Sequence, residues 1–265
     1  MVLIDAEKQR LVEIRKLDPG VRQATVSADG RTLAYVRNVN QSSYYYQAGI
    51  FKADTGNGSE TTVYSNQSFS GAGPSWSKDG RLAYFASGLS SGGTLQYHGV
   101  VYIENAIFYQ GLACSSTRPA WSPDGTFMVV VAYYEVNYQT QPVLLKILLS
   151  QGNTQPVVVG NFSDTFSDPV ISRDGQRLAF VRRSYSDTAA SGIWTINVDG
   201  SDPTRVTNDE RDRYPCFSPD GAKIVFERPT NYWTDSEGSI YLINANGTDL
   251  TLVTPNGGSW PTWID

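Results

Sequence analysis

Residues 214–221 read Tyr-Pro-Cys-Phe-Ser-Pro-Asp-Gly, and the last four of them belong to a pattern that runs through the whole chain. Ser-x-Asp-Gly stands at 27–30, 77–80, 122–125, 172–175 and 218–221. Its aspartates are Asp29, Asp79, Asp124, Asp174 and Asp220, spaced by 50, 45, 50 and 46 residues. Three positions ahead of each serine is Pro74, Pro119, Pro169 or Pro215, with Ala24 in the first copy. Immediately ahead of it is Val26, Trp76, Trp121, Ile171 or Phe217. Self-similarity at this period marks a chain made by repeating one supersecondary unit, and it takes precedence over any local reading.

Each unit reads as four strands. Asp-Gly is a strong hairpin signal, because glycine accepts a positive φ without a Cβ clash. An apolar run follows it at 33–36, 82–85, 127–132, 178–181 and 224–226. These runs are apolar on both faces, which predicts burial between neighbouring sheets. A third strand is read at 193–198 and 240–244, then a second tight turn at 199–201 (Asp-Gly-Ser) and 246–248 (Asn-Gly-Thr), then a fourth strand. No stretch sustains a 3.6-residue apolar period. The fold class is therefore an all-β, six-bladed β-propeller with a short composite closing blade built from both termini; five full blades plus extra closing strands is the alternative.

The blades fall at about 21–70, 71–116, 117–166, 167–212 and 213–258, with 2–20 plus 259–265 closing the ring as part of a single domain at 1–265. The mean aspartate spacing is 47.75 residues, so five repeats leave about 26 residues of the 265 for that closing blade, enough for three strands. Closure of this kind removes the open sheet edges of an incomplete ring.

Composition narrows the function classes. With a net charge of −5 and only 21 Lys+Arg, scattered singly, there is no basic stripe for nucleic acid. The longest apolar stretches, 127–134 and 143–149, fall far short of a membrane-spanning helix, so no membrane insertion is expected. The first residues do not read as a signal peptide, which leaves either a cytoplasmic protein or, as favoured here, a periplasmic or extracellular one whose leader has been removed. Two cysteines make neither a disulfide framework nor a metal cluster, and a single histidine, His98, rules out a His-rich metal site by counting. No cofactor and no metal are expected.

In a propeller the second-to-third-strand loops and the blade-to-blade crossovers share one face. The loops are read at 39–49, 88–99, 136–142, 184–192 and 229–238. They hold Tyr44, Tyr45, Tyr46, Tyr97, Tyr138, Tyr185 and Tyr232, seven of sixteen tyrosines in under a fifth of the chain, together with His98 and Trp233. The crossovers add Arg118, Asp164, Asp168, Asp212, Arg213, Tyr214 and Trp260. Tyrosine offers a rigid apolar body with a polar tip, suited to peptides and sugars, and loops on a rigid scaffold carry binding residues. The candidate ligand-binding set is Tyr45, Tyr46, Tyr97, His98, Arg118, Tyr138, Asp168, Tyr185, Asp212, Arg213, Tyr232 and Trp233. The competing account is that the tyrosines pack loops onto blade edges and the aspartates cap turns. Residues 88–92 (Gly-Leu-Ser-Ser-Gly) match the nucleophile-elbow pattern, but no helix follows, so no catalytic residue is assigned.

Pro-x-Trp-Ser-Pro-Asp-Gly followed by an apolar strand, an Ile-Tyr-x-x-Asn strand and an Asn-Gly or Asp-Gly turn resembles the TolB-like β-propeller repeat, most strongly across 166–254. The first copy departs from it, lacking the proline and the aromatic. The resemblance implies a six-bladed propeller, here without the α/β domain that precedes it in TolB. It leaves the ligand open, because function belongs to the site and not to the fold. The resulting expectation is a monomeric, non-enzymatic propeller that binds a peptide, protein or glycan through the aromatic loop face and channel mouth. The alternative is a regulatory or gating propeller associated with a hydrolase (peptidase) domain, since resembling propellers occur attached to serine peptidases.

Overall fold

Each Ser-x-Asp-Gly tetrad folds into the same self-capped turn. The serine hydroxyl donates to the aspartate two residues on: Ser27 to Asp29 at 2.6 Å, Ser172 to Asp174 and Ser218 to Asp220 at 2.5 Å, and Ser77 to Asp79 likewise. The same oxygen accepts the backbone N–H that opens the next strand, from Thr32, Arg81, Phe127, Arg177 or Lys223, at 2.8–3.0 Å. The glycine N–H returns to the serine carbonyl in all five copies. All five glycines sit in the left-handed region, from Gly125 at φ +67° to Gly80 at +86°, which explains the invariant Gly within the repeat. All five serines are buried.

The computed structural model describes residues 2–5, 10–14, 21–42, 45–65, 69–88, 99–104, 106–110, 113–114, 118–230, 238–254 and 257–264. Strands β1 (Val2–Asp5) and β2 (Arg10–Ile14) precede the first repeat. The first sheet is β3 (Val21–Val26), β4 (Thr32–Ser42), β5 (Tyr45–Asp54) and β6 (Glu60–Tyr64). The second is β7 (Phe69–Trp76), β8 (Leu82–Gly88), β9 (Gly99–Ile103) and β10 (Ala106–Gln110). In the third, the short β11 (Ala113–Cys114) and β12 (Ala120–Trp121) both pair with β13 (Phe127–Val136), followed by β14 (Gln139–Leu148) and β15 (Thr154–Val159). The fourth is β16 (Asp164–Ile171), β17 (Arg177–Ser184), β18 (Gly192–Asn197) and β19 (Thr204–Arg205), with a 3-10 turn at Thr188–Ala190. The fifth is β20 (Arg213–Phe217), β21 (Lys223–Arg228), β22 (Ser239–Asn244) and β23 (Thr251–Thr254). Among the described residues no helix is long and apolar enough to cross a membrane.

The remaining strand, β24 (Pro261–Ile264), joins the two ends of the chain in a sheet of order β2-β1-β24. Here β1 pairs with β24 in parallel, Val2 opposite Pro261 and Asp5 opposite Ile264. This corrects the blade count. The terminal sheet has three strands and one parallel ladder, so it does not repeat the antiparallel meander; the molecule has five blades plus extra strands, the alternative reading.

Two of the expected loops are strands. In 39–49 the ladder runs on to Gln41 opposite Tyr46 and Ser42 opposite Tyr45. In 136–142 it runs to Val136 opposite Gln139, closed by Asn137 and Tyr138 with φ of 51° and 61°. Two successive left-handed residues make the hairpin turn whose twist matches its strands.

The chain forms two compact units, 1–17 with 156–265 and 18–155. In the second, Ala34, Val36 and Ile50 pack with Leu82 and Tyr84, while Phe85 and Val101 pack with Trp121, Met128 and Leu145. In the first, Val181 and Ile193 pack with Phe217, Phe226 and Ile243, and Val225 and Ile240 with Trp263. The fully apolar second strands are thus sandwiched between sheets, as their pattern requires. Two tryptophans add a polar tie: Trp121 Nε1, ahead of the third tetrad, donates to the Ser75 carbonyl at 3.0 Å, and Trp263 Nε1, in the terminal strand, to the Cys216 carbonyl at 3.3 Å.

Several tyrosines serve this packing. Tyr84 stacks on Tyr102 at 5.3 Å, and Tyr64 contacts both. Burial pushes the Tyr64 phenol up to about 12, with the Tyr102 charge adding to it.

Candidate functional site

The first strand of four of the five full repeats is bulged at one place, two residues before the strand enters its tetrad. Register shifts fall at Arg22–Thr25, Ala72–Ser75, Ser167–Val170 and Arg213–Cys216. The residue ahead of the repeat proline, or of Ala24 in the first copy, is left-handed each time: Gln23 (φ 51°), Gly73 (60°), Asp168 (51°) and Tyr214 (54°). Trp260 (51°), ahead of Pro261, does the same in the terminal strand. Arg118 holds the equivalent place ahead of Pro119. A non-glycine residue held there costs on the order of 1 kcal/mol or more, and such strain concentrates at functional sites, where bulges re-aim side chains.

The chemistry at this position is varied, although five of its six residues, all but Arg118, share the left-handed backbone. The neighbouring positions repeat proline, serine, aspartate and glycine, while this one holds Gln, Gly, Arg, Asp, Tyr and Trp. Packing of the repeat does not by itself select six unlike side chains.

In the unit that contains 156–265, this position gathers a cluster. The Tyr214 and Trp260 rings lie 6.2 Å apart, tilted by 57°. Arg213 reaches over Tyr214 at 5.3 Å and binds Glu227 Oε1 through Nε at 3.1 Å and Nη2 at 2.6 Å. The other Glu227 oxygen accepts the Trp260 backbone N–H at 3.3 Å. Asp168 Oδ2 accepts from the Ser167 hydroxyl at 3.0 Å. Burial pushes the Tyr214 phenol up, and the nearby Asp168 charge adds to this while Arg213 opposes it. Burial also pushes the Glu227 carboxyl up, against the pull of Arg213.

Glu227 was not on the sequence-derived set, yet a signal for it exists. It faces Arg213 across the ladder where the other copies pair Arg22 with Val36, Ala72 with Phe85 and Ser167 with Val181. An acid with no exposed surface at a position otherwise apolar is a departure the fold does not need.

In the unit 18–155 the same position is tied into the backbone. Gln23 Oε1 accepts the Gly73 N–H at 2.7 Å, and Arg118 Nη2 donates to the Ala24 carbonyl at 3.2 Å.

The structure distributes the sequence-derived residues unevenly. It brings Asp168 and Arg213 together with Tyr214. Asp212 is fully buried, its two oxygens clamped by Arg228 at 2.6 and 2.9 Å, and burial pushes its carboxyl up against that pull. Tyr138 (98% exposed) tips the β13–β14 hairpin and Tyr185 (74% exposed) follows β17. Tyr45 and Tyr46 open β5. Tyr97, His98, Tyr232 and Trp233 lie outside the described residues, as do most of 88–92. A cavity of about 260 Å³, lined by Arg205, Thr207, Asn208 and Arg228 among others, contains none of the sequence-derived set.

No family model matches the chain. Over 137 residues, 50% of its length, it is 28% identical to the Tol-Pal system protein TolB of Francisella tularensis subsp. mediasiatica, covering 30% of that protein. Over 201 residues, 75% of its length, it is 27% identical to the uncharacterized peptidase YuxL of Bacillus subtilis, covering 28% of that protein. In fold it matches TolB from Acinetobacter baumannii with a TM-score of 0.68 at 17% identity, over 90% of this chain and 55% of the other. The matched stretches thus span under a third of the two sequence relatives. The fold is a β-propeller, and its repeats are TolB-like in sequence and in architecture.

Proposed function

We propose that this chain is a non-enzymatic binding propeller that recognises an extended segment of a peptide or protein at the pre-proline position of its repeats in the unit that contains 156–265, with the tyrosine-bearing connections of that unit as a flank. The observation that carries the reading is the set of unlike side chains at one strained backbone position, five of them with the left-handed φ. A TolB-like propeller is suited to a protein partner, and no residue requires a catalytic role. We place the protein outside the cytoplasm, as a monomer; cell fractionation and light scattering check both.

The test is a peptide-display and glycan-array screen on wild type and on Tyr214→Gly. Glycine is at ease in this backbone and stands there already as Gly73, so the variant removes the ring without adding strain. Peptide ligands are expected to lose about tenfold or more in affinity with the variant. Unchanged affinity, or hits confined to glycans, would defeat the reading.

A second reading, a gating propeller for a peptidase, has its own support. The likeness to YuxL extends over 75% of the chain, against 50% for TolB. A reading frame that runs past Asp265 into a hydrolase domain would favour it.

A further inference from the structure

Within the proposed binding site, which rests on the reading above, one carboxylate has no counter-ion among the described residues. Asp168 projects from a left-handed residue and is partly exposed; among the described residues its direct polar contact is the Ser167 hydroxyl. Among the described residues no cation stands within ion-pair distance of it. Arg213 on β20 and Arg183 on β17 are engaged with other partners. Arg213 is held by two bonds to Glu227, forming a neutral pair. Arg183 lies beyond Ser167, 3.5 Å from its hydroxyl, with its guanidinium on the Glu210 and Asp212 carbonyls.

The strand of Asp168, β16, packs against β20, whose Tyr214 phenol feels the Asp168 charge, and the Trp260 ring tilts against Tyr214. The Trp260 indole N–H is buried, lies near the Tyr214 hydroxyl, and makes no hydrogen bond within distance and angle limits among the described residues. An anion beside aromatic faces attracts a cation, and a buried N–H seeks a carbonyl. Charge on the connecting segments points the same way. In the same unit the stretches 184–192 and 229–238 contain no lysine or arginine and carry Asp187, Asp235 and Glu237.

We propose that Asp168, Tyr214 and Trp260 form a subsite for a basic residue of the bound peptide, its lysine or arginine side chain paired with Asp168 over the aromatic rings and a backbone carbonyl accepting from Trp260 Nε1. This rests on the peptide-binding reading above and gives it a ligand chemistry. A sequence that presents Lys or Arg in an extended stretch is selected; one that places an acid there meets Asp168 and is rejected.

The experiment pans a random peptide library on the intact chain and measures the recovered peptides by titration against wild type, Asp168→Asn and Tyr214→Gly. Asparagine and glycine both tolerate the left-handed conformation, so neither variant strains the fold, and thermal melting confirms that each is folded. The expected result is enrichment of lysine or arginine. Asp168→Asn, or replacing the basic residue by norleucine, then weakens binding about tenfold or more, and the two changes together weaken it no further than either alone. Affinity falls with added salt. If Tyr214→Gly loses binding while Asp168→Asn stays within about twofold of wild type, the subsite is wrong and the peptide-binding reading stands. If both variants bind as wild type does, or the library yields no binder, both fall.

Discussion

Ser218 shows how one side chain can define a repeat. Its hydroxyl donates to Asp220 and accepts from the Lys223 N–H, so a single buried oxygen holds both ends of the turn. Alanine there leaves the Lys223 N–H without its acceptor and frees the aspartate, and it should cost about 1–2 kcal/mol in urea unfolding. The aspartates report the same device through pH. Serine hydrogen bonds, with Arg81 leading at Asp79, hold the Asp29, Asp79, Asp124, Asp174 and Asp220 carboxyls below their ordinary value. Because the folded pKa values are depressed, this stabilisation is present in full above the unfolded pKa, near pH 4, and is lost as pH falls through the folded values. The urea midpoint should therefore drop between pH 5 and pH 2.5, and drop less in Ser218→Ala. A midpoint flat over that range would show that the tetrads contribute nothing through their charge.

Between strands, the internal repeat supplies its own controls. Arg213 and Glu227 face each other where the fourth sheet pairs Ser167 with Val181. Glu227→Val alone strands the Arg213 charge, which is 17% exposed, and should cost about 3 kcal/mol. Arg213→Ser with Glu227→Val installs the pair of the fourth sheet and should recover most of that loss, as seen in thermal melts of the three variants. If the double variant is as unstable as the single, the ion pair is structural and its link to a site fails. The same comparison explains what the sequence disclosed. Tetrads, prolines and strand-flanking turns are local, and five copies make them legible. The β13–β14 extension was not, because 133–142 mixes tyrosine, glutamine and valine, which read equally well as a loop or a half-exposed strand. Asp168 and Arg213 could be read from their place beside the prolines. Glu227 could not be read as part of a motif; it emerges only when its cross-strand partners are laid side by side.

The two ends of the chain meet in one sheet, and this sets how the whole molecule holds together. The unit that contains 156–265 also contains 1–17, so it is completed by residues from opposite ends of the sequence. Contacts of such separation are costly to form, because loop closure precedes the gain from pairing. What they give in return is protection of β24. That strand lies beside β1, and its Trp263 packs with Val225 and Ile240 and donates to the Cys216 carbonyl. Deleting residues 2–14 removes β1 and β2 together and leaves β24 with an open edge and no ladder in its own sheet. Hydrogen exchange should then rise across 213–228 and 261–264, while 33–36, 82–86 and 127–132, in the other unit, keep their protection. Exchange that rises equally in both units would mean that the terminal ladder supports the chain as one cooperative body; exchange unchanged in 261–264 would mean that β24 is held by Trp263 alone.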